Sequence, residues 1–352
     1  MKRLVLYTLA LTLWLINRAN AQKITLERFP GNPIISAGML PKLEGDDLNG
    51  PSLIKAPDWL PNKLGKYYLY FAHHKGKYIR LAYADDLRGP WKIYKPGTLQ
   101  ITDCRCNDAP FPATESVRHE GAENAGDGVT HVASPDVHID EQQKQLILYF
   151  HCPLEHKGQK GQYTLRATTK DGIHFQADTA VLGESYFRVF QWKNTYYAIG
   201  RSSAMYRSKD GRTEFEKGPN PFAKIQKPNS LRHSAVKLVG DTLWVFYSRV
   251  GDTPERILLT KIKLTDDWTS WTPTPPQEVA QPETDYEGGN LPLTTSKIGL
   301  YYGKVRELRD PYVFEENGTW YLLYSAAGEN AIAMGRLQVD PQPTARQPSR
   351  SK

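Results

Sequence analysis

The chain of 352 residues is organised around a repeated hairpin whose clearest copy lies near its end. In residues 309–325, an Arg-Asp-Pro leads into an apolar strand, a Glu-Glu-Asn-Gly turn and a second strand rich in aromatic and aliphatic residues. Asn-Gly between apolar runs is a strong hairpin signal, because both residues tolerate positive φ. A third strand, residues 331–337, follows after another turn. The unit is therefore predicted to be a three-stranded meander.

Four looser copies of this meander precede it. Their first strands begin at Asn49-Gly50-Pro51, Ser134-Pro135-Asp136, Glu184-Ser185-Tyr186 and Arg232-His233-Ser234. Each of these copies closes with an Asp turn that is followed by an aromatic residue, in the pairs Asp86/Trp91, Asp171/Phe175, Asp210/Phe215 and Asp267/Trp271. Copies of roughly 40–60 residues, each with a fourth strand after the Asp turn, are typical of a β-propeller, since one blade cannot bury both of its faces.

The predicted fold class is therefore all-β, a five-bladed β-propeller over residues 22–339. Aromatic residues make up 11% of the chain, and no long stretch shows a helical period, which favours many short strands. A strand within residues 23–36 is expected to pair with the last blade and close the ring. A two-sheet sandwich is the alternative architecture, but it does not explain the regular repeat.

The two ends of the chain are expected to lie outside the propeller. Residues 1–21 read as a signal peptide, with Lys2-Arg3, an apolar run over residues 4–16 and Ala19-Asn20-Ala21 as the cleavage site. The apolar run is shorter than the roughly 20 residues of a transmembrane helix, although an uncleaved anchor stays open. These features predict a secreted or periplasmic protein without a membrane span. Residues 340–352, rich in Pro, Gln and Ser, predict a disordered basic tail.

Charge and motifs exclude several classes of function. The formal net charge of +7 falls to +4 once the signal peptide is removed, so the charge does not predict nucleic-acid binding. The sequence contains no Gly-x-Ser-x-Gly, His-Glu-x-x-His, Walker or dinucleotide-binding motif. The three cysteines allow one disulfide, which would join Cys152 to Cys104 or Cys106. We expect a monomer.

Charged residues cluster where the inner strands of the blades begin, which is the mouth of the channel in a propeller. The carboxylates at these starts are Asp136, Glu184 and Asp310, and the neighbouring cations are His138, Arg188, Arg232, His233 and Arg309. Carboxylates held among cations can take different pKa values, so that one serves as an acid and another as a base. Cleavage of a glycosidic bond needs such a pair.

The chain resembles the five-bladed β-propeller glycoside hydrolases of families 43, 32 and 117. The resemblance rests on the segments Arg309-Asp310-Pro311-Tyr312-Val313-Phe314, Ser134-Pro135-Asp136-Val137-His138 and Tyr286-Glu287-Gly288. In these enzymes an Asp-Pro at the start of an inner strand supplies a catalytic or stabilising carboxylate, and a Glu from another blade is the general acid. The resemblance therefore implies hydrolysis of a plant or algal polysaccharide, or of its oligosaccharides.

Residue roles follow from the same resemblance. Asp310 or Asp136 would be the base or the charge-modulating partner, and Glu287 or Glu184 the general acid. The expected substrate-binding residues are His73, His138, Arg188, His233, Tyr286 and Arg309. No cofactor and no metal ligands are expected, although a structural calcium ion in the channel would be compatible with the fold.

One departure from the family leaves a second hypothesis open. Families 43 and 32 place a catalytic Asp in the first blade, where this chain has Asn49-Gly50-Pro51. Asp46 or Asp47 just upstream would have to reach the site, or a different set of carboxylates would act. The alternative is a propeller that binds carbohydrate without cleaving it.

Overall fold

A computed structural model describes residues 24–41, 44–107, 131–225, 231–299, 301 and 303–339. Two strands, β1 (Ile24–Arg28) and β2 (Ile35–Ser36), come before the first blade. Blade 1 contains β3 (Asn49–Lys55), β4 (Tyr67–Ala72), β5 (Arg80–Ala84) and β6 (Lys92–Tyr94). Blade 2 contains β7 (Ala133–Asp140), β8 (Gln145–His156), β9 (Gln159–Thr169), β10 (Gln176–Ala177) and β11 (Gly183–Glu184).

The remaining strands form three further sheets. Blade 3 contains β12 (Arg188–Trp192), β13 (Thr195–Ile199), β14 (Met205–Ser208) and β15 (Glu216–Lys217). Blade 4 contains β16 (Leu231–Val239), β17 (Thr242–Arg249), β18 (Ile257–Lys263) and β19 (Gln277–Ala280). Blade 5 contains β20 (Leu308–Glu316), β21 (Thr319–Ala326) and β22 (Ala331–Val339). The predicted five-bladed propeller is confirmed.

The ring closes through the N-terminal strand, as the sequence predicts. β1 lies antiparallel to β22 as the outer strand of blade 5, with Ile24 opposite Val339 and Arg28 opposite Gly335. β2 adds a short second pairing with β22. No helix within the described ranges is long and apolar enough to cross a membrane. The predicted signal peptide and basic tail lie outside the described residues.

The apolar core lies between neighbouring blades. Tyr70 and Leu81 of blade 1 pack with Leu148 and Phe150 of blade 2 in one fully buried cluster. The aromatic residue after each Asp turn is buried as well, and Trp91 is an example. The aspartates themselves accept hydrogen bonds from backbone amides of their own turns. Both halves of the predicted turn-and-anchor signature are therefore structural.

The inner strands share an irregularity at the point where they enter the channel. The antiparallel register shifts within the first five residues of β3, β7, β16 and β20. Positive φ angles occur there at Gly50 (58°), Ser134 (52°) and Asp310 (46°), and at Tyr186 (66°) just before β12. Such bulges re-aim side chains. Four of the five blades therefore have a positive-φ residue where the inner strand begins.

Gly50 occupies this position in blade 1 for a steric reason. A Cβ atom on Gly50 would lie 3.2 Å from Cα of Ser134 in the next blade, and the φ angle is one that residues with a Cβ rarely adopt. A side chain at position 50, including the carboxylate that the family resemblance places in the first blade, would require Ser134 to move by a few tenths of an ångström.

One disulfide ties the segment before blade 2 to that blade. Cys106 is bonded to Cys152 of β8, which confirms one of the two predicted pairings. Cys104 is not part of this disulfide, and its Sγ lies 3.2 Å from the carbonyl oxygen of Ile101.

Candidate active site

Asp310 and His233 form the ion pair at the centre of the candidate site. They come from the starts of β20 and β16, both are buried, and Asp310 Oδ1 contacts His233 Nδ1. Asp310 Oδ2 accepts a hydrogen bond from Ser325 Oγ at 3.1 Å. Burial alone would raise the pKa of Asp310, but the positive charges of His233, His74 and Arg232 lower it well below the usual range. Asp310 is therefore ionised at neutral pH.

A row of aromatic and imidazole rings leads from blade 2 to this pair. The ring centroids lie 5.6 Å apart between His131 and His151, 4.4 Å between His151 and Tyr186, and 4.6 Å between Tyr186 and His233. Burial lowers the pKa of His151 well below its ordinary value, and the neighbouring His131 lowers it further. His151 is therefore neutral at physiological pH.

Asp47, His74 and Glu329 form a second polar group beside Asp310. His74 Nδ1 lies 3.1 Å from Asp47 Oδ2 and 3.0 Å from Glu329 Oε2. Ser325 connects this group to the ion pair, since its hydroxyl oxygen also lies 3.0 Å from the carbonyl oxygen of Leu48, next to Asp47. Among the described residues, these three form the group of side chains suited to holding a metal ion.

The prediction that Arg309 binds substrate conflicts with its surroundings. Its side chain is 1% exposed and contacts the carboxylates of Glu307, Glu329 and Glu255. A guanidinium group buried in this way has almost no surface to offer a sugar. Arg309 instead pairs with buried carboxylates.

Arg188 is a second arginine that the structure assigns to the framework. Its Nε donates to the carbonyl oxygen of Ser234 at 3.0 Å, and its Nη1 donates to that of Pro135 at 2.9 Å. These bonds join the inner strands of blades 2, 3 and 4. The prediction that Arg188 binds substrate therefore conflicts with its burial and with its backbone partners.

Asp136 lies one layer below the mouth and faces blade 3. Its Oδ2 accepts from Val189 N at 2.8 Å and lies 2.9 Å from His138 Nε2. Burial would raise the pKa of Asp136, but the charges of His138 and Arg188 and the hydrogen bonds lower it. The structure places Asp136 and His138 together but does not bring them to the Asp310–His233 pair.

Glu287 lies on the other face of blade 5 from Asp310. Its partner Tyr324 and the Asp310 partner Ser325 are consecutive on β21, and consecutive side chains of a strand point to opposite faces. Glu287 Oε1 accepts from Arg28 Nε at 2.7 Å and from the Tyr324 hydroxyl at 2.6 Å. The prediction that Glu287 is the general acid conflicts with this position.

Tyr286, the neighbour of Glu287, also lies away from Asp310, and so does Glu184, the other candidate acid. Tyr286 contacts Asn32 Nδ2 through its hydroxyl at 3.1 Å, beside blade 5. Glu184 belongs to β11, which pairs with β9 of blade 2 and does not begin blade 3 as predicted. Its carboxylate forms an exposed ion pair with Lys217 on the outer strand of blade 3. Neither position fits the predicted role.

His73, which was predicted to bind substrate, lies at the rim of the site. Its Nε2 lies 3.2 Å from the exposed carboxylate of Asp46, and its Nδ1 accepts from Lys75 N. His73 directly precedes His74, so it borders the group that contains Asp47.

Sequence reasoning missed His131, His151 and Glu329 as site residues. A usable signal exists for His151, because the end of the second strand of an antiparallel meander lies beside the start of the first. Ala133 is opposite His151 in this way, and Arg309 is opposite Ser325. His131 and Glu329 lie in connections between strands, whose positions no local pattern predicts.

The comparison of sequences identifies a relative. The chain is 36% identical over 341 residues to the uncharacterized protein R118 of Acanthamoeba polyphaga mimivirus, which covers 91% of this chain and 92% of R118. The chain belongs to the R118 family. No protein-family model matches this member of the R118 family.

Solved structures share the fold of this R118-family chain. The α-L-arabinofuranosidase from Lactobacillus brevis is 12% identical, with 87% of this chain and 92% of that chain covered at a TM-score of 0.52. A thermostable family-43 glycoside hydrolase is 12% identical, with 87% and 97% covered at a TM-score of 0.52. An exo-1,5-α-L-arabinanase from a bovine ruminal metagenomic library is 12% identical, with 85% and 94% covered at a TM-score of 0.51. The fold is the five-bladed propeller of family 43 glycoside hydrolases.

Proposed function

We propose that this protein hydrolyses glycosidic bonds of a polysaccharide or oligosaccharide, with the Asp310–His233 pair as its proton-transfer centre. The observation that carries the proposal is the contact between a buried, ionised carboxylate and an imidazole where two inner strands begin. A carboxylate in contact with one ring nitrogen fixes the orientation of the imidazole, and an oriented imidazole can exchange protons with substrate or water.

The surroundings of the pair support a carbohydrate ligand. The ring of Tyr186 lies edge to face between His233 and the buried His151, and it offers an apolar surface among polar groups. Small-molecule sites combine such surfaces with a few well-placed polar groups. The shared fold of family 43 glycoside hydrolases, including the arabinanase and arabinofuranosidase above, favours a sugar as the substrate class.

A specific observation favours a second candidate, a propeller that binds carbohydrate without cleaving it. Gly50, Ser134 and Tyr186 have the same positive-φ conformation as Asp310 at the mouth, and none of them is a carboxylate. A glycosidase ordinarily needs two carboxyl groups that flank the scissile bond, roughly 5–5.5 Å apart in retaining and 6.5–9.5 Å apart in inverting enzymes. The predicted second carboxylates, Glu184 and Glu287, do not join Asp310.

Turnover by two matched variants distinguishes the candidates. The purified protein is screened on aryl glycosides and polysaccharides together with Asp310→Asn, His233→Asn and the control Asp58→Asn, which removes an exposed carboxylate paired with Lys63. Asn at position 310 tolerates the positive φ angle. Loss of a general acid or base lowers rates by about 10²–10⁴-fold, so we expect such a loss in both site variants, and unchanged turnover in the control. Full activity of Asp310→Asn would contradict the proposal, and glycan binding without any turnover would establish the second candidate.

We further propose that the protein acts outside the cytoplasm, in the secreted or periplasmic space. The support is the basic, apolar and small-residue pattern of residues 1–21. N-terminal sequencing of the protein recovered after expression in its natural host tests this, since cleavage after Ala21 is the expected result.

A further inference from the structure

We propose that Asp47, His74 and Glu329 bind a divalent transition-metal ion at the mouth of the channel, between blades 1 and 5. Asp47 precedes β3, His74 follows β4, and Glu329 lies in the turn between β21 and β22. Three different connections therefore converge on one point. Asp47 is 2% exposed and Glu329 is 1% exposed, so their carboxylates have little access to water as a partner.

The polar atoms of this group are crowded around a single ring nitrogen. His74 Nδ1 lies 3.1 Å from Asp47 Oδ2, 3.0 Å from Glu329 Oε2 and 2.8 Å from Asn49 Nδ2. A ring nitrogen either donates one proton or accepts one hydrogen bond, so it cannot satisfy all three atoms. Glu329 Oε2 is buried and has no hydrogen-bond partner. A buried carboxylate oxygen aimed at this nitrogen needs another partner, which a cation would supply.

The distances fit a shared metal ion. In an octahedral site with bonds of about 2.1 Å, neighbouring ligand atoms lie roughly 3.0 Å apart, and the two distances from His74 Nδ1 to the carboxylate oxygens have this length. One imidazole nitrogen with two carboxylates suits Zn²⁺ or Mn²⁺. Calcium prefers an all-oxygen site. The ligand set therefore points to a first-row transition metal.

Outer contacts hold the two carboxylate ligands in place. Asp47 Oδ1 accepts from Asn49 Nδ2 at 2.6 Å, and Asp47 Oδ2 accepts from His74 N at 2.9 Å. Glu329 Oε1 accepts from Arg309 Nη1 at 3.0 Å, which leaves Oε2 directed at the imidazole. Hydrogen bonds of this kind orient the ligands of metal sites and are a usual part of them.

Binding of an ion by these three residues does not depend on the proposed hydrolase activity.

Metal binding by the full chain tests the proposal without any activity assay. The protein is stripped with EDTA, dialysed and titrated with Zn²⁺ and with Mn²⁺ by calorimetry, and elemental analysis after desalting counts the bound ions. The variants are Glu329→Gln and His74→Ala. The matched control is Asp46→Asn, which removes the neighbouring exposed carboxylate. We expect one ion per chain, binding at least tenfold weaker in both ligand variants, and unchanged binding in the control.

Thermal melting with and without the ion covers the case in which a ligand variant does not fold. We expect the metal to raise the Tm of the unmutated protein and of Asp46→Asn. The proposal is overturned if the stripped, unmutated protein binds neither ion at millimolar concentration, or if it binds Ca²⁺ but neither Zn²⁺ nor Mn²⁺. Equal binding by folded Glu329→Gln and by the control would overturn it as well.

Discussion

Replacing Glu287 by Gln separates a structural role of this residue from a catalytic one. The Glu287 carboxylate is fully buried and accepts four hydrogen bonds, from Arg28 Nε, the Tyr324 hydroxyl and the backbone amides of Glu283 and Thr284. A Gln side chain has the same shape but offers one oxygen and one NH₂ group. Whichever way the amide is turned, the NH₂ group faces a donor.

The loss of stability follows from the less unfavourable of the two orientations of the Gln amide. With the oxygen toward the two backbone amides, the NH₂ group faces Arg28 and Tyr324, and only the tyrosine hydroxyl can rotate to accept. One charge-assisted hydrogen bond is lost, which is worth about 1.5–3 kcal/mol, and the remaining bonds weaken. We expect the free energy of unfolding to fall by about 2–3 kcal/mol.

Urea unfolding of Glu287→Gln measures this loss, with Glu283→Gln as the control. Glu283 contacts the same arginine from an exposed position, so we expect its variant to cost less than about 1 kcal/mol. Burial would raise the pKa of Glu287, but Arg28 and Tyr324 lower it below 4.5. The difference between the unmutated protein and Glu287→Gln is therefore present above about pH 4.5 and shrinks as the pH falls through the lowered pKa. Unchanged stability with lost turnover would show that Glu287 is the general acid and would refute this reasoning.

Three further predictions concern the framework. Gly50→Ala is expected to destabilise by more than about 1 kcal/mol, because Ala is strained at positive φ and its Cβ would approach blade 2; equal melting temperatures of the two proteins would contradict this. Replacing both Cys106 and Cys152 by Ser releases a loop of 46 residues, and chain entropy predicts a loss of roughly 4 kcal/mol in urea unfolding. Partial burial would raise the pKa of Asp171, but hydrogen bonds from its own turn lower it to about 2. The stability that its charge supplies is thus present above about pH 4 and lost toward pH 2, so Tm should fall less steeply over this range in Asp171→Asn.

The fold could be predicted from the sequence because each blade carries its own local sequence signals. The Asn-Gly turn has positive φ at both Asn317 and Gly318, as the hairpin signal requires. The Asp turns bind their own backbone amides within three residues. Such signals depend on neighbours in sequence, so one chain without relatives suffices to count the blades. The closing strand was predictable for a different reason, since a propeller needs a partner for its last edge.

The site was harder to predict from the sequence because it depends on where the connections between strands lie in the folded chain. Glu184 reads as the start of a blade, yet β11 extends blade 2, and blade 3 begins after the positive-φ residue Tyr186. Asp310 has the predicted position, but its closest partner, His233, comes from another blade 77 positions earlier in the sequence numbering. Nothing local indicates that Glu329 and Asp47, at opposite ends of the chain, meet at His74.

Two arginines show a further reason why the site was harder to predict than the fold. Arg188 and Arg309 were predicted to bind substrate because they lie beside carboxylates at the starts of inner strands. Arg188 instead donates to carbonyl groups of neighbouring blades, and Arg309 to carboxylates of its own blade. A narrow channel leaves inner-strand groups without water, so buried polar atoms must find partners within the protein. Sequence shows which groups need partners, but not which partners they find.

The pairing of β1 with β22 imposes an order of events on synthesis. Ile24 can pair with Val339 only after more than three hundred further residues have been synthesised. Until then, the first strand is an unpaired edge, and blade 5 does not exist. The four earlier blades can assemble as the chain emerges, but the ring stays an open arc. Shortening the chain before β22 would therefore leave both ends of that arc exposed at once, as two edges able to pair with strands of other chains.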